Sequence, residues 1–137
     1  MTKVVSKIGA IRQQEDQVYH FLSDFRNLDP LVPEEKISHW NSSEDQCHFD
    51  VNGIGSIEME IIEKEPNKLV KVASMKKSPV PFTLWIQIKQ VDEMDTRVRL
   101  TAQAEMNPFM KAMLSKYLQQ GLDAMVDKLA EYFNNPE

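Results

Sequence analysis

The chain has 137 residues, 42% of them hydrophobic and 27% charged, with 16 Lys and Arg against 21 Asp and Glu. That length suits one domain able to bury roughly two thirds of its unfolded surface, so residues 1–137 read as a single unit. A formal net charge of −5, without marked gathering of basic residues, argues against nucleic acid as a partner, and the lone Cys47 excludes an internal disulfide or a cysteine-based zinc site.

At the N-terminus, MTKVVSKIGAIRQQEDQ breaks its short apolar stretch with charge and glutamine before a signal-peptide core can form. Nowhere does the sequence approach the ~20 apolar residues of a membrane span. A cytoplasmic location is expected, which a single cysteine suits. Lys3 to Arg12 alternates imperfectly and is rich in β-branched residues, so it reads as the first strand.

A helix follows over EDQVYHFLSDF, where Val18, Phe21, Leu22 and Phe25 share one face and Glu15 and Asp16 complement the helix dipole in the first turn. Pro30 and Pro33 then limit the chain to one or two further turns around Leu28 and Leu31, giving a broken helix pair.

From Lys36 to Met106 the period is two, with strands expected at 36–42, 46–52, 55–64, 68–75, 81–91 and 96–106. Asn52-Gly53, Glu65-Pro66-Asn67 and Asp92 to Asp95 supply hairpin turns between them, and the Lys76-Lys77 pair reads as another solvated turn. Alternation places Cys47, Phe49, Val51, Ile57, Met59, Ile61, Phe82, Leu84, Ile86, Ile88, Val98, Leu100, Ala102, Ala104 and Met106 on one apolar face. His48, Trp85, Arg97, Arg99 and the alternating acids of the third of these strands take the wet face.

Asn107 is a good N-cap and Pro108 a good first helical residue, so a long helix over 108–133 is expected to cover the sheet. Its apolar stripe runs through Met110, Met113, Leu114, Tyr117, Leu118, Leu122, Met125, Val126, Leu129 and Phe133.

Strand, broken helix pair, six antiparallel strands and closing helix together resemble the helix-grip fold of the START-like (SRPBCC) superfamily, the polyketide cyclase/dehydrase and lipid-transport group, in a compact bacterial form. The resemblance spans the chain and is carried by VYHFLSDFRNLDPLVP, VNGIGSIEMEIIEKEPNKLVKVAS, PFTLWIQIKQVDEMDTRVRLTAQAEMNP and the last helix. It implies an α+β fold with a curved antiparallel sheet of about seven strands and a cavity between that sheet and the C-terminal helix. By position, Phe25, Leu31, Phe49, Met59, Phe82, Leu84, Leu100, Ala102, Met110, Met113, Leu114 and Tyr117 would line it.

The function implied is binding or transport of a small hydrophobic, lipid-, polyketide- or quinone-like ligand, by a monomer or weak homodimer. Eight methionines, three of them at Met106, Met110 and Met113, suit either ordinary core packing or an adaptable apolar site. An alternative is a cyclase-, dehydratase- or hydrolase-type enzyme, for which Tyr117, expected on the inward helix face, is the candidate acid. A third reading is a protein-interaction module using Trp85 on the outer sheet face, where cross-strand packing is an equal alternative.

His20, His39 and His48 show no metal-ligand spacing, and Glu58, Glu60, Glu63 and Glu65 read as a solvated strand face. No nucleophile elbow or phosphate-binding glycine loop occurs, Cys47 reads as a small buried hydrophobe, and neither metal nor cofactor is expected.

Overall fold

The computed structural model describes residues 2–76 and 80–135. Strands β1 (Thr2–Val5) and β2 (Gly9–Ile11) lead into helix α1 (Glu15–Leu22) and a 3-10 helix (Phe25–Leu31). Then come β3 (Ile37–Ser42), β4 (Gln46–Val51), β5 (Gly55–Glu65), β6 (Leu69–Ser74), β7 (Phe82–Asp92), β8 (Asp95–Ala104) and helix α2 (Pro108–Asn134). All strand pairs are antiparallel, in the order β1-β8-β7-β6-β5-β4-β3, with β2 also on β8. This is the expected helix-grip arrangement, with Lys77 of the expected basic turn outside the described residues and Lys76 exposed.

The expected first strand is two. Between them the Ser6 hydroxyl accepts from the Leu100 N–H at 2.8 Å and donates to the Lys7 carbonyl at 2.7 Å, satisfying the backbone where the ladder breaks. The helix pair breaks before either proline: the first part ends at Leu22, short of the expected Phe25, Asp24 caps the second by accepting from the Arg26 N–H, and Pro30 sits inside that second, 3-10 part.

Helix α2 starts where its cap predicts, with Asn107 Oδ1 accepting from the Met110 N–H at 2.8 Å. It follows the β1–β2 edge of the sheet more than it crosses the middle, since its backbone approaches mainly β1, β2, β8 and the 3-10 helix. Polar side chains of α2 occupy backbone groups along that edge. Gln119 Nε2 donates to the Val5 carbonyl at 2.8 Å, and Asp123 accepts from the Lys7 N–H at 2.7 Å. Asn134 accepts from the Arg12 N–H at 2.9 Å and donates to the Ala10 carbonyl at 3.0 Å. An exposed sheet edge invites pairing with other chains, and here the helix blocks it.

The core lies between the concave sheet face and these helices. Val18, Leu22, Phe25, Leu28 and Leu31 meet Val70, Val72, Ile86, Ile88, Val98 and Leu100, with Leu122, Val126 and Leu129 of α2 closing the cluster.

Candidate functional site

Sheet register aligns the inward residues in rows. Ile61, Val72, Leu84, Ala102 and Val4 are successive cross-strand partners, so five strands build one apolar row. Cys47 faces Met59 and Phe49 faces Ile57 in the neighbouring rows. The alternation read from sequence therefore holds across the sheet.

Coverage of that face is uneven. Toward α1 and the last turns of α2 it is sealed, whereas Phe49, Ile57, Met59, Ile61, Phe82 and Leu84 remain only partly buried, as do Met110, Leu114 and Leu118 of α2. These side chains of β4, β5, β7 and the first half of α2 leave apolar surface open to solvent.

Beside Phe49 stands a residue that sequence reasoning misses. His39 takes a left-handed backbone conformation (φ 56°) where the β3–β4 register shifts between Ser38 and Asn41. Beyond the shift, Trp40 lies 5.5 Å from the Phe49 ring, centroid to centroid, and packs at the core margin. Its indole N–H and the Ser42 hydroxyl both donate to Asp29 Oδ1, tying β3 to the 3-10 helix. A tryptophan next to a histidine, in a strand whose facing the pattern leaves open, is the only sequence signal.

The residues expected to line a cavity fall into three groups. Phe49, Met59, Phe82, Leu84, Met110 and Leu114 are partly buried. Phe25, Leu31, Leu100 and Ala102 are instead sealed in the core. Met113 and Tyr117 are 61% and 40% exposed, which corrects the expected inward orientation of both. Met113 precedes the buried Leu122 by nine residues, about two and a half helical turns, and so stands on the opposite side of α2. Among the described residues the Tyr117 hydroxyl has no hydrogen-bond partner.

Several titratable groups are held by hydrogen-bonded partners or silenced by burial. Burial pushes the Cys47 thiol up to about 12, so it stays protonated and unreactive at neutral pH. The Asp50 carboxyl is held below its usual range by a 2.6 Å bond from the Ser56 hydroxyl and by His39, which pairs with it at 2.8 Å on the outer face. Asp24 and Asp95 are lowered by Arg26 and Arg97, each bound through two guanidinium nitrogens. Among the described residues no three His, Cys, Asp or Glu groups converge as a metal site.

Two open depressions flank the end of α2. One, of about 620 Å³, is bordered by Gln13, Pro30, Leu31, Lys128, Glu131, Tyr132, Phe133 and Asn135. The other, of about 570 Å³, lies among Ala10, Ile11, Arg12, Met94, Asp95 and Asn134. Their charged rims contrast with the partly buried apolar residues of the sheet face, and ligand sites are mostly apolar.

On the outer face Trp85 stands between its cross-strand neighbours Lys71 and Thr101, with the Lys71 ammonium 5.6 Å from the ring centroid. Cross-strand packing accounts for it. No described helix is long and apolar enough to cross a membrane.

A model of the polyketide cyclase / dehydrase and lipid transport family matches residues 1–134. No curated protein matches the chain. Among solved structures, a START superfamily protein from Mycobacterium smegmatis superposes with a TM-score of 0.77 at 13% identity, over 98% of this chain and 99% of that one. XoxI from Bacillus cereus gives 0.73 at 14% identity, over 99% and 98%. A point mutant of norcoclaurine synthase from Thalictrum flavum, in complex with a transition-state analogue, gives 0.77 at 12%, over 98% and 95%. At these identities the likeness is one of fold.

Proposed function

The chain belongs to the polyketide cyclase / dehydrase and lipid transport family, and from that premise we propose that it binds a small hydrophobic ligand in the groove between β4–β7 and the first half of α2. One observation carries the reading: Phe49, Met59, Ile61 and Leu84, on the apolar sheet face, pack against the core yet stay only partly buried. Removing a side chain of this size from water stabilises by about 1.5 to 3 kcal/mol when burial is complete, so a ligand that finishes their burial gains affinity without a charged contact. Met59 and Met110 adapt the groove to more than one apolar shape. The lone buried thiol suits a reducing compartment, and cytoplasmic binding by a monomer or weak homodimer fits this reading.

An enzymatic alternative needs a proton-handling group at the groove. Tyr117, its candidate, is displaced toward solvent, so binding is preferred.

Native mass spectrometry of protein purified from its own host tests the proposal. A co-purifying apolar species of a few hundred daltons, displaced by Leu84→Trp, is the expected result. A bare polypeptide mass, together with no saturable uptake of an added fatty acid, would overturn it.

A further inference from the structure

Charges scattered along the sequence are sorted by the register on the outer face of the sheet. Arg99, Gln87, Leu69 and Glu65 form one outward cross-strand row from β8 to β5, and Thr101, Trp85, Lys71 and Glu63 form the next. A third runs from Gln103 through Thr83 and Ala73 to Glu60. Every row ends in an acid on β5, and none holds an acid on β6, β7 or β8. Lys3 extends the third row on β1, and Arg97 opposite Lys89 adds a row of bases, with Arg97 held by Asp95. The face is therefore basic over β1, β8 and β7 and acidic over β5, where Glu58 stands opposite His48 of β4.

Neither side is neutralised within the chain. Among the described residues Lys3, Lys89, Glu60 and Glu63 make no ion pair. Lys71 lies directly opposite Glu63, yet its ammonium sits 5.6 Å from the centroid of the Trp85 ring instead. Cross-strand packing sets that ring, which stays partly exposed, and its indole N–H has no hydrogen-bond partner among the described residues.

We propose that a second copy of this chain covers the outer face in a two-fold dimer. Such a contact has to be self-complementary, and a face with bases on one flank and acids on the other meets that condition. With the axis parallel to the strands and between β6 and β7, β8 of each copy lies on β5 of the other. Arg99 then meets Glu65 of the other copy, because both stand in one row, and Trp85 meets Lys71 in the next. An axis across the strands would stack β5 on β5, acid on acid. Strands of packed sheets cross at about 30°, so the central rows carry the contact. Beyond those rows like charges approach: the exposed Glu105, past the end of β8, comes toward Glu58, and Arg97 toward Lys68. The contact is thus small and the dimer weak. The net charge of −5 opposes association at long range, but a screening length of about 8 Å in physiological salt leaves the touching rows to decide. A phosphate backbone is the poorer occupant, since a strand crossing this face would pass the acids of β5. The inference stands without the ligand reading, which concerns the opposite face of the sheet.

Sedimentation velocity at concentrations up to about 1 mM tests it. The full chain is expected to show a reversible monomer–dimer equilibrium. Arg99→Glu and Glu65→Arg should each weaken it at least about tenfold, because each sets like charges together twice per dimer, and the double variant should restore it to within about threefold. Melting temperatures of dilute protein should not follow that pattern, which separates loss of contact from loss of folding. A monomer at every concentration overturns the proposal, as does a dimer that either single variant leaves intact or that the double variant fails to restore. A dimer abolished by Phe109→Ser would overturn it in favour of a contact through α2.

Discussion

Gly9 and Val126 mark a close approach of α2 to the sheet edge: a Cβ built on Gly9 would lie 2.5 Å from Val126 Cγ1. That contact, with the polar bonds from Gln119, Asp123 and Asn134, ties the helix to the β1–β2 edge from its middle to its last turn.

Gly9→Ala therefore forces either the helix or β2 to move. Overpacking of this kind costs about 1 to 3 kcal/mol, which urea unfolding should register as a lower midpoint with an unchanged slope. Gly121→Ala is the control, because nothing lies within 4 Å of a Cβ there. It should stabilise the helix by up to about 1 kcal/mol.

Asn134 donates to one backbone group of the β2 edge and accepts from another. Asn134→Ala is expected to destabilise by about 1 kcal/mol and to speed hydrogen exchange at the Arg12 amide selectively. Unchanged exchange there would show that the helix does not hold this edge.

The cap at Asn107 is legible in the sequence, because an Asn-Pro pair ahead of an apolar-periodic run carries its own geometry. So are the faces of β4, β5, β7 and β8, since alternation is local. What is not legible depends on distance along the chain. Gln119, Asp123 and Asn134 read as ordinary polar positions, yet their partners are 114, 116 and 124 or 122 residues away. The sequence pattern misplaces Met113 and Tyr117 because steps of three and four, followed over many turns, drift around the helix until the stripe no longer faces one way. Trp40 escapes it because its orientation depends on a register shift at His39, which no period announces.

Asn107→Ala should cost about 1 kcal/mol, the usual value of a lost N-cap bond, and fray the first turn of α2. Circular dichroism and thermal melting would measure it.

Cys47 makes stability depend on alkaline pH. Its folded value is raised to about 12 from an ordinary 9.0, so the folded thiol keeps its proton where the unfolded one loses it. Burial of the neutral thiol is fully compatible with folding below about pH 9. Between about pH 9 and 12 the unfolded state binds fewer protons, and stability falls by at most about 1.4 kcal/mol per pH unit from this group. Cys47→Ala should remove that part of the slope, a difference that denaturant titrations of both proteins at pH 8 and 10 would read. In native protein at pH 8, the thiol should resist alkylating reagents.

Methyl NMR during titration with dodecanoate tests the central claim most directly, since it reads where an apolar ligand sits. Saturable shifts at Met59, Leu84 and Leu114, with Val70 and Val126 unmoved, are the predicted result. Absence of saturable shifts, or shifts confined to residues around Lys128 and Tyr132 at the far end of α2, would contradict the groove as the binding site.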